Sequence, residues 1–574
     1  MLAELFNKLQ ECNLASAEDL LRPAREAQLL QVMMSRVTRN QPVQHSRSTL
    51  SEVAKTHEPR SYNEAKTDPE WRESMQKEFQ SLLDNGTWEL QELPPGRKVI
   101  KTKWVYKIKS DGRWKSRLVA KGFTQVAGID FDETWSPVGR KSSLKLLISH
   151  VLRKGWTWKQ MDVDTAFLNS RLDEEIYMEQ PQGFQDGTNR VCRLRKAIYG
   201  LKQASRAWYN TLHVFLTAKG LKRSRVDPCL YYGDRMIIFV YVDDLVIAAE
   251  NDERVESISQ EFKNHFRMKD LGKPRKLLGL DLIEVPRGVF LTGYGIIAEL
   301  LQRYQMYGSR YVSTPMDPNH VLLPRSDGQA TAEEQSKYAS ILGSLLYIAN
   351  SYRPDIAYAV SILSQFTSNP SDDHWRGIKR VLRYLNGTKY FGLFFPRFDS
   401  KPAVLKGFTD ADFAACFTRR SRTGFAFFVG SCLISWSSRK QSVIALSTCE
   451  AEYYALTEGE KEAINSKRLV WEIQNQDACP DELKLDPVTL FCDNQSTIFV
   501  SKNPAEHRMM KHVDLRYKWI QERVESGEFE VEYVPTKDQV ADLFTKGLAK
   551  VQHEKLCSEC GVFGDKTLQL EREC

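Results

Sequence analysis

The sequence predicts an α+β protein of several domains, and three observations carry that prediction. At 574 residues the chain outgrows a single hydrophobic core, so roughly three or four domains are expected. Its apolar residues follow two periods: helical spacing at Trp71, Met75, Phe79 and Leu82, and dense β-branched or aromatic runs such as Ile237 to Ala249. From Leu405 the pattern begins again with a strand, a glycine- and aromatic-rich meander and a helix, as a second α/β unit would.

Taken in order, residues 1–60 are polar and mixed. Leu20, Leu21, Leu29 and Leu30 hint at an amphipathic helix before a linker rich in Ser, Thr, Arg and Gln. Order begins at Asp68, an N-cap, with Pro69 at the first helical position and Asn85-Gly86 as the stop. From Arg97 to Lys121 ten Lys or Arg residues accompany a single acid, Asp111, with Trp104, Tyr106 and Trp114 interleaved. This segment reads as a β-hairpin turning at Ser110-Asp111-Gly112. Its cations and rings suit a phosphate backbone and stacked bases, and equally a solvated charged hairpin. In KQMDVDTAFLN, Asp162 ends a short strand and Asp164 follows on the same face. Residues 197–220 read as a turn and a helix, with Trp208, Leu212, Phe215 and Leu216 as the buried stripe and Gly220 as the stop. Gln203 and Arg206 fall in the first turn, where free N–H groups favour anions.

The run IIFVYVDDLVIAA, Ile237 to Ala249, reads as two buried strands with Asp243 and Asp244 at the tight turn between them. Burying an unpaired carboxylate costs on the order of tens of kcal/mol by Born solvation unless it is neutralised. Two adjacent acids there suggest a divalent cation, although a polar turn also accommodates Asp. Helical spacing at Tyr338, Leu342, Leu345 and Leu346, and a helix around Trp375 to Leu385, carry no obvious chemistry. In the second unit LKGFTD reads as a strand ending in Asp410, and a helix carries Glu450 and Glu452. Val488 to Cys492 is a strand ending at Asp493, and Asp542 lies on a terminal helix or turn.

The net charge of +7 is modest, so its clustering in the hairpin matters more than its total. Eleven scattered cysteines form no disulfide framework, and no secretory signal opens the chain, which predicts reduced thiols in an intracellular protein. Cys557 and Cys560 make one CxxC without a second pair, so a zinc site is not expected. No apolar run reaches the ~18 residues of a membrane span.

The blocks KWVYKIK, RLVAKGFTQ, QMDVDTAFLN, EEIYMEQPQGF, IYGLKQASRAWY, VYVDDL and LLGLDL, in this order, resemble the reverse transcriptase of copia-type LTR retrotransposon Pol polyproteins. The similarity continues through YASILGSLLYIANSYRPDIAYAVSILSQF. It then passes into TDADF, ISWSSRKQSVIALSTCEAEYYAL, FCDNQSTI, KHVDLRYKWI and ADLFTKGL, which resemble the RNase H domain closing such polyproteins. It covers roughly residues 60 to 560.

That resemblance implies a right-hand polymerase of fingers, palm and thumb, followed by an RNase H-like domain with a mixed five-stranded sheet. The implied divisions are a linker at 1–60, fingers and palm at 61–310, a helical thumb or connection at 311–400, and the RNase H-like domain at 401–574. By the same resemblance Asp162, Asp243 and Asp244 hold two Mg²⁺ ions, with Mn²⁺ as a substitute, and the Val163 carbonyl completes the set. The resemblance also implies that Phe167 lies under the nucleotide sugar, with ordinary core packing as the alternative, and that Gln203 touches the incoming nucleotide, with a capping or surface role as the alternative; Lys115, Arg117 and Lys121 are candidates for the triphosphate. Asp410, Glu450, Asp493 and Asp542 match the RNase H carboxylates, also with two Mg²⁺; Glu452 competes with Glu450, the two point apart on a helix, and Glu450 is preferred. His512 assists product release or is a surface residue, Asp164 is not counted as catalytic, and Asp412 and Asp514 read as capping or solvated acids.

The expected function is RNA-directed DNA synthesis with degradation of the RNA in the hybrid. The expected partners are an RNA template, a DNA primer strand, the RNA–DNA hybrid and dNTPs, in a cytoplasmic particle and without a membrane. The competing expectation is an inactive, nucleic-acid-binding remnant of a decayed element. DTG or DSG protease, zinc-knuckle and integrase-core motifs are not found in the sequence, so a Pol fragment is expected.

Overall fold

The computed structural model describes residues 57–109, 112–481, 483–503 and 514–564. The helix hinted at by Leu20 to Leu30, the Ser110-Asp111 turn and His512 lie outside the described residues. The first long helix, Pro69–Asp84, starts where Asp68 accepts the Glu70 N–H at 2.9 Å, and buries Trp71, Met75 and Leu82. It packs on the basic hairpin, strands Thr102–Ile108 and Trp114–Ala120, where the Trp71 ring meets Trp114 and Tyr106 edge-on. Alternation sends Trp104 and Tyr106 inward and leaves Lys103, Val105 and Lys107 exposed.

A six-stranded antiparallel sheet follows. Its spatial order is Met268–Gly272, Thr157–Val163, Asp244–Ala249, Met236–Tyr241, Leu230–Gly233 and Lys222–Arg223. The two inner strands are apolar on both faces because each face feeds a different core. Ile238, Val240, Leu245 and Ile247 pack with Trp208, Leu212 and Phe262 from helices Ala204–Ala218 and Asp252–His265. Ile237, Phe239, Val246 and Ala248 pack with Leu144, Leu147 and Ile148 from helix Lys141–Lys154. That double burial explains the unbroken run in the sequence.

A second antiparallel sheet joins Lys276–Leu277, Leu280–Val285, Gly288–Thr292, Phe391–Pro396 and Val562–Gly564. It draws strands from three of the expected divisions, so the divisions at 310 and 400 do not separate packing units. Helices Ala332–Ser351, Ala357–Ser364 and Asp372–Gly387 pack around it. Among them Arg353, fully buried, forks onto Asp355 at 2.6 Å, and Tyr384 donates to the same carboxylate at 2.7 Å.

The third sheet has the order Cys432–Lys440, Arg422–Val429, Leu405–Asp412, Val488–Cys492 and Phe529–Tyr533. Its first three strands are antiparallel neighbours, and the last two join in parallel. The helix Thr448–Asn475 crosses it and reaches the first half of the chain at Glu472. That buried carboxylate accepts from Ser224 Oγ, from Arg225 N at 3.0 Å, from Cys479 N at 3.1 Å and from Tyr232 Oη at 3.2 Å. No helix among the described residues is long and apolar enough to cross a membrane.

Candidate active sites

The first site sits at the tip of the hairpin Met236–Tyr241/Asp244–Ala249. The two-residue turn gives Val242 a φ of +56°, a costly conformation for a β-branched residue, and it is held from two sides. Trp208 Nε1 donates to the Val242 carbonyl at 2.6 Å, and Val163 N donates to the Asp243 carbonyl at 3.0 Å. Register sets Asp244 opposite Asp162, so Asp162, Asp243 and Asp244 gather at one end of the sheet. Burial, then the Asp243 charge, pushes the Asp162 carboxyl up, while Lys269 opposes them. Burial pushes Asp244 up to about 6, although Gln160 Nε2 donates to it at 3.0 Å. Asp162 and Asp244 are thus both held against burial and a neighbouring acid. Asp164 has left the strand and forms an ion pair with Lys269, the residue in register with Asp162.

Phe167 lies on the short 3₁₀ turn Ala166–Asn169 just past the strand, buried, its ring meeting Tyr199 edge-on at 4.7 Å. The Arg117 guanidinium stands over the Tyr199 ring, 4.9 Å from its centre. Tyr199 itself is pinned to the basic hairpin, its carbonyl accepting from Ala120 N at 2.8 Å. The approach is so close that a Cβ on Gly200 would lie 2.1 Å from the Ala120 carbonyl, and φ there is +95°. Lys115 is half-buried, its ammonium disfavoured first by burial and supported by Glu78. Lys121 is half-buried at the hairpin's end and donates its N–H to Lys101.

Gln203 stands at the start of helix Ala204–Ala218. It is 3% exposed, accepts from Gln125 Nε2 at 3.0 Å and donates to the Asp130 carbonyl at 2.8 Å, so its amide faces inward. Arg206 is likewise engaged, with Glu133 at 2.5 Å and the Trp135 carbonyl at 3.1 Å. The reason is shared: the segment from Gln125 to Trp135 folds back over the helix start and takes up the donors expected to meet an anion. Gln160, Trp208 and Tyr199 were missed as parts of this site. Each sits in an otherwise ordinary strand, helix or turn, and it is register that brings them to the acids.

The second site lies across the third sheet. Carboxylate oxygens of Asp410, Asp493 and Asp542 lie within 4.8 Å of one another. Asp410 sits inside its strand, two residues before the end at Asp412, and accepts from Thr545 Oγ1. Asp542 opens the short helix Asp542–Thr545 and is pushed up to about 7 by burial first and then by Asp410. Lys546 offsets both acids, 2.8 Å from Asp542 and 3.4 Å from Asp410, and Asp493 accepts from Thr536 Oγ1 at 2.8 Å.

The helix contributes Glu452, not Glu450, to this group. Glu450 turns back to its own helix start, accepting from Leu446 N at 2.6 Å while Ser447 Oγ accepts from Glu450 N at 3.1 Å. Glu452 is buried and faces Asp410 and Asp493, which together with burial hold its carboxyl well above the usual range. Its carboxylate, Cys492 Sγ and the Asp493 carboxylate again lie within 4.8 Å of one another. Ser447-Thr448-Cys449-Glu450 is a capping-box pattern, and that signal separates the two glutamates in the sequence itself. Asp412 is half-buried and pushed up to about 6, chiefly by burial, so it is not a solvated acid.

A family model described as reverse transcriptase (RNA-dependent DNA polymerase) matches residues 85–318. The chain is 39% identical over 530 residues, 88% of its length, to the retrovirus-related Pol polyprotein from transposon TNT 1-94 of Nicotiana tabacum, covering 39% of that protein. It is 36% identical over 528 residues, 90% of its length, to the corresponding polyprotein from transposon RE2 of Arabidopsis thaliana, covering 35% of it. A shorter relative, named "Putative transposon Ty5-1 protein" in Saccharomyces cerevisiae, is 36% identical over 307 residues, 52% of this chain and 98% of the relative. The chain therefore spans between 35% and 39% of the two polyproteins. It belongs to the reverse transcriptase family, as part of a copia-type retrotransposon Pol polyprotein.

Proposed function

We propose that the chain is an RNA-directed DNA polymerase that also degrades the RNA of its product hybrid. The observation that carries the reading is the register of Asp244 against Asp162 beside a turn bearing Asp243, with a separate acidic group on another sheet. In this reading the six-stranded sheet is the palm, the basic hairpin belongs to the fingers, and the helices between the two sites form the thumb and connection. The third sheet, with its order and mixed directions, suits an RNase H fold.

In the first site Asp162, Asp243 and Asp244, with the Val163 carbonyl, would hold two Mg²⁺ ions, whose charge would stabilise the attacking and leaving oxygens. Asp244 shares its charge with Gln160, which makes Asp162 and Asp243 the stronger ligands. Arg117, supported on Tyr199, is the cation best set for a triphosphate. Lys115 is turned toward Glu78, and Lys121 stands at the hairpin's end. Phe167 forms a flat floor that disfavours a ribose 2′-hydroxyl. Gln203 holds the segment from Gln125 to Asp130 in place and thereby shapes the wall. In the second site Asp410, Glu452, Asp493 and Asp542 are the ligand set, and their hard oxygens suit Mg²⁺ better than Cys492, whose thiol burial keeps protonated.

Primer extension on an RNA template with Mg²⁺ or Mn²⁺ tests the reading, run beside Asp243→Asn with Asp244→Asn and beside Asp410→Asn. Extension by the parent chain, lost in the double variant and kept in Asp410→Asn while hybrid degradation disappears, is the expected result. A parent chain that extends no better than the double variant is an inactive remnant, and the reading fails.

A further inference from the structure

The acids of the second site share their space with a lysine, and the local fold puts it there. Asp410 lies opposite Gly424 in the neighbouring strand, and a Cβ on Gly424 would come within 2.7 Å of Thr545 Cγ2 and 2.9 Å of Phe544 Cβ. The missing side chain lets the short helix Asp542–Thr545 settle against the sheet, where Thr545 Oγ1 donates to Asp410. Lys546 follows, its N–H still bonded to the Asp542 carbonyl at 3.1 Å, so its side chain starts one turn beyond that acid. The ammonium reaches 2.8 Å from the Asp542 carboxylate and 3.4 Å from that of Asp410.

That ammonium divides the acidic group unevenly. Two overlapping sets of ligand atoms each lie within 4.8 Å of one another: Asp410 with Asp493 and Asp542, and Glu452 with Cys492 and Asp493. Lys546 stands on the first set. Glu452 feels the Asp410 and Asp493 charges more strongly than that of Lys546. The lysine side chain is 32% exposed, whereas those of Asp410 and Asp542 are 1% and 7% exposed. The carboxylates are therefore fixed in the interior, while the ammonium has a way out to water along its own stem.

Resting on the reading of these acids as a metal-holding group, we infer that Lys546 is a resident competitor for one of the two cations. Its ammonium supplies the charge that Asp410 and Asp542 lack without an ion, and an incoming divalent ion has to expel it. The ion brings twice the charge and takes carboxylate oxygens as direct ligands, whereas an ammonium offers only N–H donors. The exchange goes forward when divalent ions are abundant and reverses when they are scarce. Lys546 does not stand on the Glu452–Asp493 end, so the first ion loads there without a contest. The second, at Asp410 and Asp542, sets the concentration at which the pair is complete. Hydrolysis thereby acquires a divalent-cation threshold written into this chain by one lysine.

The test is a titration of Mn²⁺ into the substrate-free full chain, with the free ion counted by electron paramagnetic resonance. Asp243→Asn with Asp244→Asn is carried in every chain, so that the first site does not contribute. The expected result is two ions of unequal affinity, both weakened by Asp410→Asn. Lys546→Met should tighten the weaker ion about ten- to a hundredfold, the span over which a neighbour bonded to a metal ligand changes metal affinity, and should move the tighter ion far less. Lys546→Arg keeps a cation on the same carboxylates and should keep both affinities of the parent. A damaged fold weakens binding, so a gain in Lys546→Met cannot come from misfolding. Equal or weaker binding of that ion in Lys546→Met overturns the inference and leaves the metal site standing. Absence of Asp410-dependent binding in parent and variant alike overturns the reading of the group as a metal site, and the inference with it.

Discussion

Replacing Asp542 with asparagine probes an acidic group held together against its own charge. Burial and then Asp410 push this carboxyl from its ordinary 3.8 up to about 7, with Lys546 opposing them. Between those values the folded chain keeps a proton that the unfolded chain has released. The associated stability is therefore complete below about pH 4 and is lost as the pH rises through about 7. A shift of roughly three units, at about 1.4 kcal/mol each, is worth at most about 4 kcal/mol. Amide exchange in strand Leu405–Asp412, corrected for intrinsic rates and measured in metal-free buffer, reads the local opening energy. That energy should fall by up to about 3 kcal/mol more in the parent than in Asp542→Asn between about pH 5 and pH 8, the part of the shift that lies above pH 5. Mg²⁺ added at the upper end should restore more of it in the parent, because a bound cation replaces the missing proton. Parallel curves in the two chains would refute the account of Asp542 as a charge-strained member of the group.

Glu452→Gln should slow hybrid hydrolysis at least about a hundredfold, the loss of several kcal/mol of metal-assisted stabilisation. Glu450→Gln keeps an acceptor for Leu446 N and should leave initial rates of hydrolysis near those of the parent. Arg353→Met removes one partner of a fully buried pair and should destabilise the chain by about 3–5 kcal/mol, read as a lowered thermal midpoint. Trp208→Phe deletes the donor to the half-buried Val242 carbonyl, costs about 1 kcal/mol, and should lower the rate of extension more than template affinity.

Local features were legible because local chemistry decides them. The cap at Asp68, the stop at Gly220 and the acidic turn at Asp243 each rest on residues that are neighbours in the chain. What escaped the sequence is what depends on distant contacts. Gln203 sits at a helix start, where an amide could meet an anion. Its use is decided by Gln125 and Asp130, which sequence spacing does not bring near it. The capping pattern at Ser447, by contrast, is local: it claims Glu450 and leaves Glu452 to face the sheet. The strand Phe391–Pro396 reads as the end of a helical region, because its partners are Gly288–Thr292 and a short strand close to the end of the described chain.

The two candidate sites are rigidly related through a contact that neither sequence block contains alone. Glu472 lies on the helix that also carries Glu452, and its hydrogen-bond donors include Ser224, Arg225 and Tyr232. Tyr232 belongs to the strand beside Met236–Tyr241, which leads directly to the turn at Val242 and Asp243. One helix and one sheet thus connect an acid of the second site to the acids of the first. A buried carboxylate with four donors is costly to separate from any of them, since each broken bond strands a charge or a polar group away from water. The same apolar core runs from Leu144 through Tyr232 and Phe408 to Val562. Charge and packing therefore both oppose hinging between the halves. Under the proposed function, a hybrid leaving the first site would meet the second at a distance set by this contact rather than by a flexible linker.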